Sequence, residues 1–256
     1  MMPGLAFYLL AVPAVILFGL SKGGFSGISV LGTPLIALAV GPTQAAGIVL
    51  PILVVQDAVG IMMFRRHWDR RLIVTMLPGA VVGVGLAFLL ASHVSQAIVE
   101  IVLGAISACF AFVRTPSVQA AEPRSGAIDR GIGLLSGVAS GFTSMIAHAG
   151  VPPFQFYVMP KRLSRDMYIG TSIVYFAATN YLKILPFALL GQFTATNLFL
   201  SGTLFPLALL STWVGARVVR RVDPTQFYMI IRLLLAFTGI VLVLKGFYGL
   251  HLLPVR

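Results

Sequence analysis

The amino-acid sequence predicts an all-α polytopic membrane protein of two inverted-topology repeats, each a broken helical hairpin followed by three transmembrane helices. Three observations carry that prediction. Hydrophobic residues make up 58% of the chain and charged residues only 10%, whereas a soluble domain is about a quarter charged. Apolar runs repeatedly approach or exceed the roughly 20 residues that cross a bilayer. Finally, a glycine-rich stretch from Gly19 to Pro34 returns 118 positions later, from Gly137 to Pro152. Gly19 falls on Gly137, Gly23 on Gly141, Ser26 on Ser144, Gly32 on Gly150 and Pro34 on Pro152. Five coincidences in sixteen positions, all at small or backbone-special residues, mark a duplication.

Ten apolar segments can be marked in order: 4–21, 25–40, 44–64, 72–91 and 96–113 in the first half, then 128–148, 150–159, 166–190, 195–216 and 226–249 in the second. At these lengths the pattern is helical. Segments 25–40 and 150–159 are short or contain helix breakers, so each reads as a half-helix or the returning arm of a hairpin. The duplication continues beyond them. Gly47 aligns on Gly170, Asp57 on Asn180, Pro78 on Pro206, Gly85 on Gly215 and Gln96 on Gln226, with the offset drifting from 118 to 130. The expected division is a membrane repeat at 1–114, a polar cytoplasmic linker at 115–130 and a second membrane repeat at 131–256.

Loop charge sets the orientation. The basic loops Arg65 to Arg71, Arg114 to Arg130, Lys161 to Arg165 and Arg217 to Arg221 are assigned to the cytoplasm, and the turns at 41–43, 92–95 and 191–194, which lack Lys and Arg, to the outside. If each hairpin returns to its starting side, the three spans after it invert the second half relative to the first. Both termini then lie outside, with Lys245 and Arg256 pointing mildly the other way.

The net charge of +11 does not indicate nucleic acid, because the Lys and Arg residues sit in short clusters between apolar runs and no polar domain exists to carry a basic face. No basic residue precedes the first apolar run, so a cleaved signal peptide is not expected. The single cysteine, Cys109, excludes an intrachain disulfide.

The glycines at 19, 23 and 27 and at 133, 137 and 141 recur every fourth position. That spacing serves close helix packing as readily as a binding site. Their neighbours favour a site: Ser26 and Ser144, then Gly32-Thr33-Pro34 and Gly150-Val151-Pro152, where the chain is expected to open. Opened backbone at membrane depth must be buried in protein or line a cavity, and the helix N-termini beside it suit an anion.

Ionisable residues inside apolar segments are costly and point to function. They are Lys22, Asp57, His148 and Lys183, with Asn180 standing where the first half has Asp57, and Arg232 two turns into the last span. Tyr168, Ser172, Tyr175, Thr179 and Lys183 form one polar stripe that must face the bundle interior. Each has a plainer reading: Lys22 and Lys183 snorkelling to an interface, Asp57 pairing with a basic neighbour, Glu100 at the interface, His148 packed against a carbonyl. Cations outnumber Asp57 in this set, so the cavity is expected to hold an anion. No metal-ligand cluster or phosphate loop is present in the sequence, and no cofactor is expected.

GLSKGGFSGISVLGTPL and GPTQAAGIVLP in the first half, with GVASGFTSMIAHAGVPPF and KRLSRDMYIGTSIVYF in the second, resemble the TauE/SafE family of sulfite exporters over nearly the whole length. The resemblance implies secondary transport or export of sulfur-containing anions such as sulfite or organosulfonates. The chain departs from the family's denser glycine runs at Ser29-Val30-Leu31-Gly32 and Ala147-His148-Ala149-Gly150.

The resulting expectation is an exporter of a small sulfite- or sulfonate-like anion, working by alternating access in a bacterial inner membrane. The substrate-binding residues expected are Lys22, Ser26, Asp57, Ser144, His148, Asn180 and Lys183. Protons are the candidate coupling ion, through Asp57 or His148, and a homodimer is left open. Rival readings are a passive anion channel and an intramembrane enzyme, the latter resting only on Ser144 and His148 four residues apart.

Overall fold

The computed structural model describes residues 4–23, 28–91, 95, 97–98, 100–102, 104–105, 108, 126–218 and 224–252. These contain helices α1 (Leu5–Lys22), α2 (Gly32–Val40, led by a 3-10 turn at Ile28–Leu31), α3 (Pro42–Phe64), α4 (Arg70–Ala91), α5 (Gly126–Ala147), α6 (Val151–Val158), α7 (Arg165–Leu189), α8 (Ala195–Val218) and α9 (Pro224–Leu252). The described positions between Ala97 and Ala108 are helical, and no strand occurs among the described residues. α1, α3, α4, α7 and α8 are long and apolar enough to cross a bilayer. The chain is a multi-pass membrane protein, as the sequence predicts.

Local chemistry sets the helix ends. Gly41, at φ 84°, turns the chain between α2 and α3, and Pro42 begins α3 where its missing N–H is no loss. Asp69 accepts from the Leu72 N–H at 3.1 Å and starts α4, while Thr194 accepts from the Asn197 N–H at 3.1 Å and starts α8. Gly191, at φ 66°, closes α7.

Polarity is inverted relative to a soluble domain. Leu5, Leu89, Leu185, Leu210 and Phe237 are exposed, while Gln56, Asp57, Ser140, Thr179, Asn180 and Lys183 are buried. Packing of small residues replaces hydrophobic exclusion as the cohesive force between helices in lipid. α4 and α5 form the most extensive pair. A Cβ on Gly137 or Gly141 would come within 2.1 Å of the Met76 carbonyl oxygen or 2.3 Å of the Ala80 one, and one on Gly83 within 2.1 Å of the Val138 carbonyl oxygen. α1 meets α8 in the same way: a Cβ on Gly23 would come within 2.3 Å of the Gly215 carbonyl oxygen. The described glycines of the two motifs therefore serve helix seams, the plainer reading open for them at sequence level.

The first of the two expected chain openings is helical instead. Gly32-Thr33-Pro34 does not open: the turn at Ile28–Leu31 runs straight into α2, and Pro34 sits in the first turn of that helix, where proline is tolerated. α1 ends at Lys22. In the second copy the break spans His148 to Gly150, directly ahead of Val151-Pro152 as expected.

Several helix pairings recur in both halves. α1 packs on α8 and its counterpart α5 on α4; α3 packs on α8 and its counterpart α7 on α4; α3 and α7 pack on each other. The described parts of the basic segments gather at one end. The Asp69 N–H donates to Thr171 Oγ1 at 2.8 Å, Lys161 is ion-paired with Asp129, and Phe64, Ile169 and Ala216 cluster. At the other end Gln44 donates to Asn197 at 3.1 Å and Tyr8 lies 3.3 Å from Thr203 Oγ1. Lys245, a weak topology signal in the sequence, lies 3.6 Å from Glu100, which is buried.

Candidate anion-binding site

α3 carries Asp57 inward, and both of its oxygens are engaged. Oδ1 is paired with Lys22 Nζ at the end of α1, and Oδ2 accepts from Asn180 Nδ2 on α7 at 2.6 Å. Lys22 therefore does not snorkel; its charge is neutralised within the bundle. Asp57 is fully buried, and a buried carboxylate is tolerable only when paired and hydrogen-bonded in this way.

One turn further along α7 stands Lys183, also fully buried. Nζ donates to the Ser144 carbonyl oxygen at 3.1 Å, to Ser144 Oγ at 3.0 Å and to His148 Nδ1 at 2.8 Å. With Nδ1 accepting, the imidazole hydrogen is on Nε2, which donates to the Ala46 carbonyl oxygen at 3.1 Å. With Lys183 as the donor His148 is neutral, and no carboxylate among the described residues is bonded to Lys183.

The break after α5 puts His148 there. Its φ of 52° is left-handed, a region that glycine enters freely, Asn, Asp and His less often, and β-branched residues rarely. Ser140 Oγ donates to the Gly150 carbonyl oxygen at 2.7 Å and holds the turn. The Pro152-Pro153 pair removes two N–H groups from the start of α6, so this helix end offers an anion fewer donors than the sequence motif suggests.

These residues border a polar cavity of about 40 Å³, lined by Lys22, Ser144, His148, Ser172 and Asn180 and walled by Phe18, Ile173 and Phe176. One water needs about 10–15 Å³ by the same measure, so the space suits a few waters or a compact ion. Lys183 stands behind the Ser144–His148 wall. The cavity lies toward the basic end, where Ile169 also lines it. A larger, mainly apolar cavity of about 260 Å³ lies toward the opposite end, bordered by Thr43, Ala46, Met145, Phe187 and Gln192. His148 separates the two, with its ring 5.8 Å from that of Phe187.

The structure thus brings together Lys22, Asp57, Ser144, His148, Asn180 and Lys183. Ser26 lies outside the described residues, as does the side chain of Arg232. On α7, Tyr175, Thr179 and Lys183 are buried and Ser172 reaches the cavity, so the polar stripe does face inward. Sequence reasoning missed Gln56, fully buried beside Asp57. Its Nε2 donates to the Val15 carbonyl oxygen at 3.2 Å and ties α3 to α1; a carboxamide amid an apolar span was the available signal.

A family model described as Sulfite exporter TauE/SafE matches residues 11–242. No curated protein and no solved structure matches the chain.

Proposed function

This chain belongs to the TauE/SafE sulfite exporter family, a family of membrane transporters for sulfite and related anions, and from that premise we propose that it is a secondary exporter of small sulfur-containing anions. The observation that carries this reading is the polar cavity bordered by Lys22, Ser144, His148 and Asn180, backed by a buried lysine that no carboxylate among the described residues pairs. Coulombic attraction at low dielectric favours an anion there. Lys22 and Asn180 offer N–H donors to substrate oxygens, while Asp57 positions both and does not itself touch the anion. The cavity size favours sulfite or a sulfonate head.

Transport proceeds by alternating access between the two ends, with the His148–Phe187 layer as the barrier that must part. The repeats 1–114 and 131–256, joined by the linker 115–130, are oriented oppositely, with the basic end cytoplasmic in a bacterial inner membrane; the matched helix pairing and the gathering of basic loops support this. One copy of the chain borders the whole cavity, so the reading does not depend on a homodimer. Protons are the coupling ion.

The test is radiolabelled sulfite flux in proteoliposomes. Uphill accumulation driven by an imposed proton gradient, without chemical conversion of the sulfite, is expected. Strictly downhill flux identifies a passive channel, and no flux above protein-free vesicles sinks the anion reading.

A further inference from the structure

We propose that Lys183 carries the coupling proton, and that the site moves a monoanion together with that proton as an electroneutral pair. The inference rests on the anion-transport reading of the polar cavity and adds the charge state of the cargo and the residue that balances it.

The surroundings of Lys183 satisfy either protonation state. As an ammonium it has three N–H groups for three acceptors: the Ser144 carbonyl oxygen, Ser144 Oγ and His148 Nδ1. As a neutral amine it keeps two donors, for the carbonyl and the imidazole, and the Ser144 hydroxyl turns to donate to its lone pair. No buried polar atom of the cluster is orphaned in either form. Lys22 differs: its partner is the Asp57 carboxylate, whose other oxygen is held by Asn180, so losing its proton would strand a buried anion.

The titratable groups facing Lys183 from its neighbours are Asp57 on α3, Lys22 on α1 and His148 at the α5–α6 break. Lys22 and Asp57 cancel, and His148 is neutral because Nδ1 accepts while Nε2 donates to Ala46. The described cluster therefore has a charge of plus one with Lys183 protonated and zero without. A bound monoanion such as hydrogensulfite makes the loaded site neutral; a dianion leaves it at minus one. On release, the monoanion and the Lys183 proton both pass to the receiving side, so where the exterior is the more acidic side the outward sulfite gradient drives export against the proton gradient. The empty site then returns with a neutral amine, so no uncompensated charge crosses the bilayer in either direction, a crossing that is costly. Ser144 lines the cavity and its Oγ is bonded to Nζ, which gives the proton a path to cavity water.

The test uses the full chain in proteoliposomes with sulfite as the probe. Wild-type net flux is expected to acidify the receiving side and to be insensitive to a potassium–valinomycin potential. Flux that rises with voltage overturns the proposal while leaving the anion reading standing; a wild type with no sulfite flux at all overturns the anion reading itself. Lys183→Arg keeps the charge but cannot shed the proton. Its net flux should fall to the protein-free background, with sulfite–sulfite exchange falling less, because exchange never requires the empty site to return. Equal losses of net flux and exchange, with net flux still detectable, overturn the role of Lys183. Should the variant be inactive in both assays, the wild-type voltage measurement decides.

Discussion

Asn180 donates to Asp57 at 2.6 Å, and the two are counterparts in the alignment of the halves, 123 positions apart in the chain. In a two-repeat arrangement, corresponding positions can touch only close to the axis that would relate the halves. The contact thus lies where two related halves would meet, and it is chemically unequal: a carboxylate from one half and a carboxamide from the other. That inequality lets the centre hold Lys22 as an ion pair without a second negative charge facing the cavity.

Breaking this centre on one side should destabilise the fold. Asp57→Ala strands the Lys22 ammonium, 10% exposed in its side chain, at a cost of about 3–5 kcal/mol. Replacing both, Lys22→Met with Asp57→Leu, should restore much of the thermal stability in detergent but not sulfite flux. A double variant as unstable as Asp57→Ala would show that the pair is not the source of the loss.

The seams make a sharper prediction within one helix. Gly83 and Gly85 are two residues apart on α4, but a Cβ on Gly83 would meet backbone at 2.1 Å whereas one on Gly85 meets nothing within 4 Å. Gly83→Ala should cost about 1–3 kcal/mol by overpacking, and Gly85→Ala should stay within about 0.5 kcal/mol of wild type. Melting curves of the two purified variants compare them directly.

His148 separates backbone from side-chain roles. His148→Asn tolerates the left-handed φ of 52° but removes the imidazole beside Lys183; it should fold and transport poorly. His148→Val places a β-branched residue in that conformation and should lower stability as well, by about 1–2 kcal/mol. Equal melting temperatures for the two would remove backbone strain from the explanation.

The spans were legible because a bilayer imposes long apolar runs: the segment at 44–64 is α3 at Pro42–Phe64 and that at 166–190 is α7 at Arg165–Leu189. The cluster of intramembrane polar residues was legible for the same reason, since each stands out against an apolar background. Their partners were not. Lys22 and Asp57 lie 35 positions apart on different helices, and no periodicity links them. The glycine pattern announced close packing, but the partner helices, α8 for Gly23 and α4 for Gly137, depend on tertiary arrangement. The rule that proline opens a helix failed at Pro34, which falls in a first turn where no donor is lost.

The location of the anion is the centre of the account, and selenite, a heavier analogue of sulfite, tests it most directly. A crystal structure of the protein grown with selenite should show an anomalous selenium peak in the polar cavity, between Lys22, Ser144, His148 and Asn180. A protein that exports sulfite yet binds selenium elsewhere, in the apolar cavity bordered by Thr43 and Phe187 for instance, would contradict it.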